Sequence, residues 1–142
     1  MENVAFIINP FSAKKDYHPF LRALKTKVKN PLYYISESIQ GTFKFIDDHF
    51  ATTDIFVAVG GDGTISTVAQ KLINTDKILA IFPAGSGNGF SNETKFSKNI
   101  DELLDKINAE DVKKIDTFTV NERLSINVSG TGFDGKVVKE FE

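Results

Sequence analysis

Residues 55 to 67, Ile-Phe-Val-Ala-Val-Gly-Gly-Asp-Gly-Thr-Ile-Ser-Thr, limit what this chain can fold into more than any other stretch of it. A continuous apolar run, Ile55 to Val59, stops at Gly60-Gly61-Asp62-Gly63-Thr64. Apolar residues then return at Ile65, Val68, Ala69, Leu72 and Ile73 with helical spacing. The order is strand, glycine turn, helix. Such a junction presents the first N–H groups of the helix, and the positive end of its dipole, beyond the end of the strand, where they attract phosphate. Glycines let the backbone approach a ligand closely because no Cβ intervenes. Asp62 sets a carboxylate among them. An acid beside phosphate is unfavourable unless a cation or a transferable proton lies between, so the combination points to a magnesium nucleotide or a phosphoryl-transfer site. A glycine pair after a strand is also an ordinary tight turn, and aspartate is a common helix cap. Three glycines, the acid and Thr64 at one strand-to-helix junction favour phosphate over that plainer reading.

The same unbroken apolar pattern recurs at Val4 to Ile8 and Ile78 to Phe82, and more weakly at Leu32 to Ile35. Strands buried on both faces read this way, as in a parallel sheet covered by helices. Helical patterns lie between them. Leu21, Leu24 and Val28 mark one, and Phe43, Ile46 and Phe50 another, starting near Gly41-Thr42. Ile65 to Ile73 is the third, and Ile100, Leu103, Leu104 and Ile107, entered through Ser97 to Asn99, the fourth. This alternation predicts an α/β fold, a Rossmann-like and mostly parallel sheet flanked by helices with right-handed crossovers. After Val112 the pattern changes. Ile115 to Val120 and Arg123 to Val128 partly alternate across Asn121-Glu122 and predict a β-hairpin. A second architecture therefore begins near residue 117.

The chain has 142 residues, 41% of them hydrophobic, which suits one domain with a real core. Its net charge is −2, with no basic tract beyond Lys14-Lys15 and Lys113-Lys114, and this argues against a nucleic-acid partner. The absence of cysteine excludes disulfides and thiolate metal sites and fits a cytoplasmic setting. Met1 to Val4 lacks the basic start of a signal peptide. No apolar stretch reaches the ~20 residues of a membrane helix, so any lipid chemistry is expected at a membrane surface as a peripheral event.

Ligands of open α/β sheets bind beyond the carboxyl ends of the strands. Three expected strands end there in suggestive loops: Asn9-Pro10-Phe11-Ser12, Gly60 to Thr64, and Pro83-Ala84-Gly85-Ser86-Gly87-Asn88. Ser12, Thr64, Ser86 and Asn88 would supply hydroxyl and amide contacts on one rim, although such residues also simply populate turns. Lys14 and Lys15 read as solvated. Asp116 alone reads as a turn acid. His18 and His49 lack metal-ligand spacing, and Gly130-x-Gly132 opens no convincing helix.

Taken together these segments resemble the diacylglycerol kinase catalytic domain, a family that includes bacterial lipid kinases, sphingosine kinases and ceramide kinases. Gly60-Gly61-Asp62-Gly63-Thr64 with Val68 is similar to its G-G-D-G-T-x-x-x-V signature. Asn9-Pro10-Phe11-Ser12 is similar to N-P-x-S-G, and Pro83-Ala84-Gly85-Ser86-Gly87-Asn88 to P-x-G-[ST]-x-N. Asp116-x-x-x-Val120-Asn121 and Asn127-x-x-Gly130-x-Gly132-Phe133-Asp134 resemble its later pieces. NAD kinases and phosphofructokinases share the glycine core alone. The resemblance implies a nucleotide-binding α/β lobe over residues 1–116 and the start of a β-rich second lobe over 117–142. It implies ATP with magnesium, the phosphates lying on the Gly61–Thr64 loop. Asn9, Ser12, Ser36, Gly60, Gly61, Gly63, Thr64, Gly85, Ser86, Asn88 and Asp116 are then expected around the nucleotide. Asp62 becomes the acid linked to magnesium and the activator of a lipid hydroxyl. Ala13 departs from the family's glycine after the serine, and Gly89 stands where many bacterial members have aspartate. Family members run to roughly twice this length in two lobes, so this chain reads as one lobe and the beginning of another. The expected activity is transfer of the γ-phosphate of ATP to a diacylglycerol or sphingoid-like lipid. A kinase of a soluble substrate such as NAD and a non-catalytic nucleotide-binding module are the alternatives, and pairing of two copies stays open.

Overall fold

The computed structural model describes residues 3–12, 16–84, 98–109, 112–120 and 123–126. In chain order its elements are β1 (Val4–Ile8), α1 (His18–Lys27), β2 (Leu32–Ile35), α2 (Ile39–His49), β3 (Ile55–Gly60), α3 (Asp62–Leu72), β4 (Ile78–Pro83), α4 (Ile100–Asn108), β5 (Phe118–Val120) and β6 (Arg123–Ser125). The first four strands form one parallel sheet in the order β2-β1-β3-β4. The α/β class and the parallel sheet are as the apolar runs predict.

Both faces of the sheet are covered, which is why β1 and β3 need apolar residues at every position. On one face Phe6, Ile8, Val57 and Val59 pack with Leu24 and Val28 from the α1 side and with Leu103 and Leu104 of α4. On the other, Ala5, Ile7, Phe56 and Ala58 pack with Ile46 of α2 and with Ile65, Val68 and Leu72 of α3. The chain steps outward from β1 to β2, then reverses across β1 to β3 and on to β4. The helices change faces at that reversal, as a constant crossover handedness requires. β2 is the edge strand and only half-buried along its length, which explains its weaker apolar signature.

Several boundaries differ from the sequence reading. α2 begins at Ile39, not near Gly41-Thr42, because the Ser38 side chain caps it by accepting from the Gly41 N–H at 3.0 Å. α3 begins earlier than Ile65, at Asp62. β3 and β4 each run one residue further, so that Gly60 pairs with Pro83. The hairpin starts later, at Phe118, with Val120 opposite Arg123 and Ile115 before it exposed, while Asn127 and Val128 lie outside the described residues. Ile126 packs against the α2/α3 face of the core. Among the described residues no helix is long and apolar enough to cross a membrane.

Candidate functional site

The reversal of direction creates a switch point between β1 and β3, where one connection leaves toward the α1 face and the other toward the α3 face. Crevices at such points are where open α/β sheets bind ligands. Asn9, the first residue past β1, ties the crevice together. Its N–H donates to the Val59 carbonyl at 2.9 Å. Its side-chain Oδ1 accepts from the Phe11 N–H at 2.9 Å, and its Nδ2 donates to Thr64 Oγ1 at 2.9 Å. One side chain thus fixes the loop after β1 to the first turn of α3.

Gly61 is the N-cap of α3, with extended backbone, and Asp62 is the first helical residue. The aspartate is therefore not the cap. The Thr64 N–H donates to the Gly61 carbonyl at 3.0 Å, and the Ile65 N–H donates to the same oxygen at 3.1 Å. Thr64 thus offers its hydroxyl to the crevice while its amide serves the helix. The amides of Gly61 and Gly63 precede the point at which the helical ladder can reach them.

Two of the glycines have different reasons to be glycine. Gly60 is buried in the sheet, and a Cβ there would strike Thr64 Oγ1 and lie 2.6 Å from Thr64 Cβ. Its bareness lets Thr64 fold over the strand end. At Gly63 an added Cβ would meet no described residue within 4 Å, and no left-handed φ calls for glycine there. Among the described residues, neither packing nor backbone geometry requires Gly63 to be bare. An open Cα in the first turn of a helix, facing a crevice, is a cradle that a methyl group would fill.

Two clefts flank Asn9. The smaller, about 200 Å³, lies between the start of α2 and the start of α3, with Ser36, Glu37, Thr42, Gly63, Thr64 and Thr67 among its walls. The Ser36 and Thr42 hydroxyls hydrogen-bond to each other at 2.8 Å, and the Ser36 N–H donates to the Ile8 carbonyl at 2.8 Å. Among the described residues no lysine or arginine lines this cleft. The larger, about 660 Å³, opens on the α1 side and is mainly aromatic and aliphatic, with Tyr17, Phe20 and Phe82, and Ser12 and Asp16 at its polar side. The His18 backbone N–H, helped by the His18 ring, holds the exposed Asp16 carboxyl below its ordinary range.

The structure therefore gathers Asn9, Ser36, Gly63 and Thr64 on one cleft, with Gly60, Gly61 and Asp62 forming the adjoining junction. Ser12 faces the larger cleft, its N–H donating to the Asn9 carbonyl at 3.2 Å. Asp116 is exposed in the extended stretch before β5 and lines neither cleft. Gly85, Ser86 and Asn88 lie outside the described residues. Glu37, Thr42 and Thr67 were not singled out from sequence. The loop after β2 has no glycine cluster, so nothing local marks it as a fourth contributor to the rim. Among the described residues no group of three or more His, Asp or Glu side chains gathers to hold a metal. The acids at this junction are Asp62, in the first turn of α3, and Glu37, on the cleft wall, a set that would suit magnesium, which is usually held by one or two carboxylates together with substrate phosphates.

Comparison with known proteins decides the family. The diacylglycerol kinase catalytic domain matches residues 3–120. This chain belongs to that family. Among relatives of the domain, a candidate lipid kinase of Streptococcus pneumoniae serotype 4 is 30% identical over 131 residues, covering 86% of this chain and 44% of that protein. An NAD kinase of Clostridium botulinum (strain Eklund 17B) is 28% identical over 131 residues, covering 91% of this chain and 44% of that enzyme. The crystal structure of a diacylglycerol kinase from Bacillus anthracis str. Sterne superposes with a TM-score of 0.70 at 25% identity, covering 87% of this chain and 45% of that one. The chain thus spans less than half the length of these relatives.

Proposed function

We propose that this diacylglycerol kinase-family domain is the ATP-binding lobe of a lipid kinase, which transfers the γ-phosphate of ATP to a diacylglycerol or sphingoid-like hydroxyl at a membrane surface. The observation that carries the reading is Gly63. It is bare, open and placed at the helix end that meets the switch-point crevice. The Gly61 and Gly63 amides would bind phosphate oxygens, assisted by the α3 dipole. Asn9 would hold Thr64 Oγ1 in place beside them. Magnesium, when bound with the nucleotide near Asp62, offsets the charge of the phosphates. Asp62 would take the proton of the attacking hydroxyl, since phosphoryl transfer asks the protein mainly for positioning and charge stabilisation.

The test is calorimetric titration of the chain with Mg-ATP. The wild type is expected to bind. Gly63→Ala is expected to bind at least about tenfold more weakly, the loss of one charge-assisted contact, with no drop in its urea unfolding midpoint. A wild-type chain that takes up no Mg-ATP, or a Gly63→Ala variant that binds as well as wild type, defeats the reading. The NAD kinase relative supports a second reading, transfer to a soluble dinucleotide. Assaying the full-length protein against diacylglycerol, sphingosine and NAD separates the two.

A further inference from the structure

We propose that Glu37 is the ribose reader of this site, its carboxylate accepting hydrogen bonds from the sugar hydroxyls of the bound nucleotide. This deepens the proposed function and rests on α3 as the phosphate end. Two helix starts meet at the cleft, that of α3 at bare Gly63 and that of α2 at Ser38 and Ile39, and the α2 start is the one that has Glu37 beside it. Toward the other wall its polar residues are Ser36 and Thr42, whose hydroxyls are bonded to each other, Ser38, whose hydroxyl caps α2, and Glu37. Among the described residues no cationic side chain lines it, so a phosphate seated beside Glu37 would meet repulsion that none of them offsets. A carboxylate accepts and cannot donate when ionised. It suits a neutral ligand group rich in O–H donors.

Size and spacing agree. At about 200 Å³ the cleft falls below the ~300–1,000 Å³ of sites that enclose a drug-sized ligand, and it suits a sugar. β2 and β3 stand on either side of β1, so their ends are separated by two strand spacings, roughly 10 Å. A nucleotide spans most of that distance from its terminal phosphates to its ribose, and the Glu37 side chain closes the remainder. The phosphates then lie over α3, the sugar over Asn9 at the end of β1, and the base beyond β2.

The experiment compares binding of ATP, 2′,3′-dideoxy-ATP and inorganic tripolyphosphate, each with magnesium, to the wild-type chain and to Glu37→Gln. The wild type is expected to prefer ATP over the dideoxy form by about tenfold, the worth of one charge-assisted hydrogen bond. In Glu37→Gln that preference is expected to collapse to within about twofold, while tripolyphosphate binds both proteins equally. Equal wild-type affinity for ATP and its dideoxy form overturns the assignment of Glu37 and leaves the phosphate reading standing. Loss of tripolyphosphate binding in Glu37→Gln also overturns it, and makes the residue a magnesium ligand. If no phosphate compound binds the wild type, both the phosphate site and the ribose reader fail together.

Discussion

Gly60 and Gly63 stand three positions apart and do unrelated work. Gly60 is bare because Thr64 sits against it, and Thr64 is nine-tenths buried and tethered by Asn9, so it cannot yield. Gly60→Ala is therefore expected to destabilise the fold by about 1–3 kcal/mol, the usual penalty of overpacking. It should also loosen Thr64, so nucleotide binding and stability fall together. Gly63→Ala should separate them, because alanine is the better helix former by up to about 1 kcal/mol and meets nothing here. Urea unfolding of the two variants checks this pair. A Gly60→Ala protein as stable as wild type would remove the packing explanation. The sequence places the glycines at the right junction, yet it spells both tasks with the same letter. Only the path of Thr64 over the strand end distinguishes them, and that path depends on Asn9, 55 residues away.

At the scale of elements, β1, β3 and β4 were readable because unbroken apolar runs have few other uses. β2 was weaker for a physical reason: an edge strand needs less apolar surface, and here it carries Tyr33 and Tyr34. The start of α2 was misplaced because Gly41 suggests a break, whereas the cap is Ser38 and the glycine lies inside the first turn. Its purpose is contact with β2. A Cβ on Gly41 would strike the Tyr34 hydroxyl and lie 3.3 Å from Tyr34 Cζ. Tyr34 has little freedom to retreat, since its ring stacks on Phe45 with centroids 5.2 Å apart. Gly41→Ala should therefore cost about 1–2 kcal/mol despite the helix preference of alanine. Removing the obstructing oxygen with Tyr34→Phe should recover at least half of that loss. A double-mutant cycle measures the coupling. Additive effects would show that Tyr34 is not what keeps residue 41 bare.

At the scale of the whole molecule, the parallel sheet was legible but the strand order was not, because no local pattern states which strand lies beside which. The order β2-β1-β3-β4 is what brings Glu37, Asn9 and Gly63 to one crevice from three separate loops. It also sets what this lobe can do alone. In-line phosphoryl transfer needs the acceptor oxygen held on the far side of the phosphorus from the leaving group, and misplacement by about 1 Å can cost a hundredfold in rate. The rim offers the start of α3, with Asp62 in its first turn, and Glu37 after β2. The chain spans less than half the length of the relatives that it matches, which leaves room for a second wall in them. The 142-residue chain is accordingly expected to bind Mg-ATP yet transfer no phosphate to diacylglycerol or sphingosine above background. Incubation with radiolabelled ATP and mixed lipid vesicles, followed by lipid extraction, checks this. Robust labelling of either lipid would mean that one lobe both grips the nucleotide and orients the acceptor, and the site would then have to be redrawn to include the aromatic cleft on the α1 side.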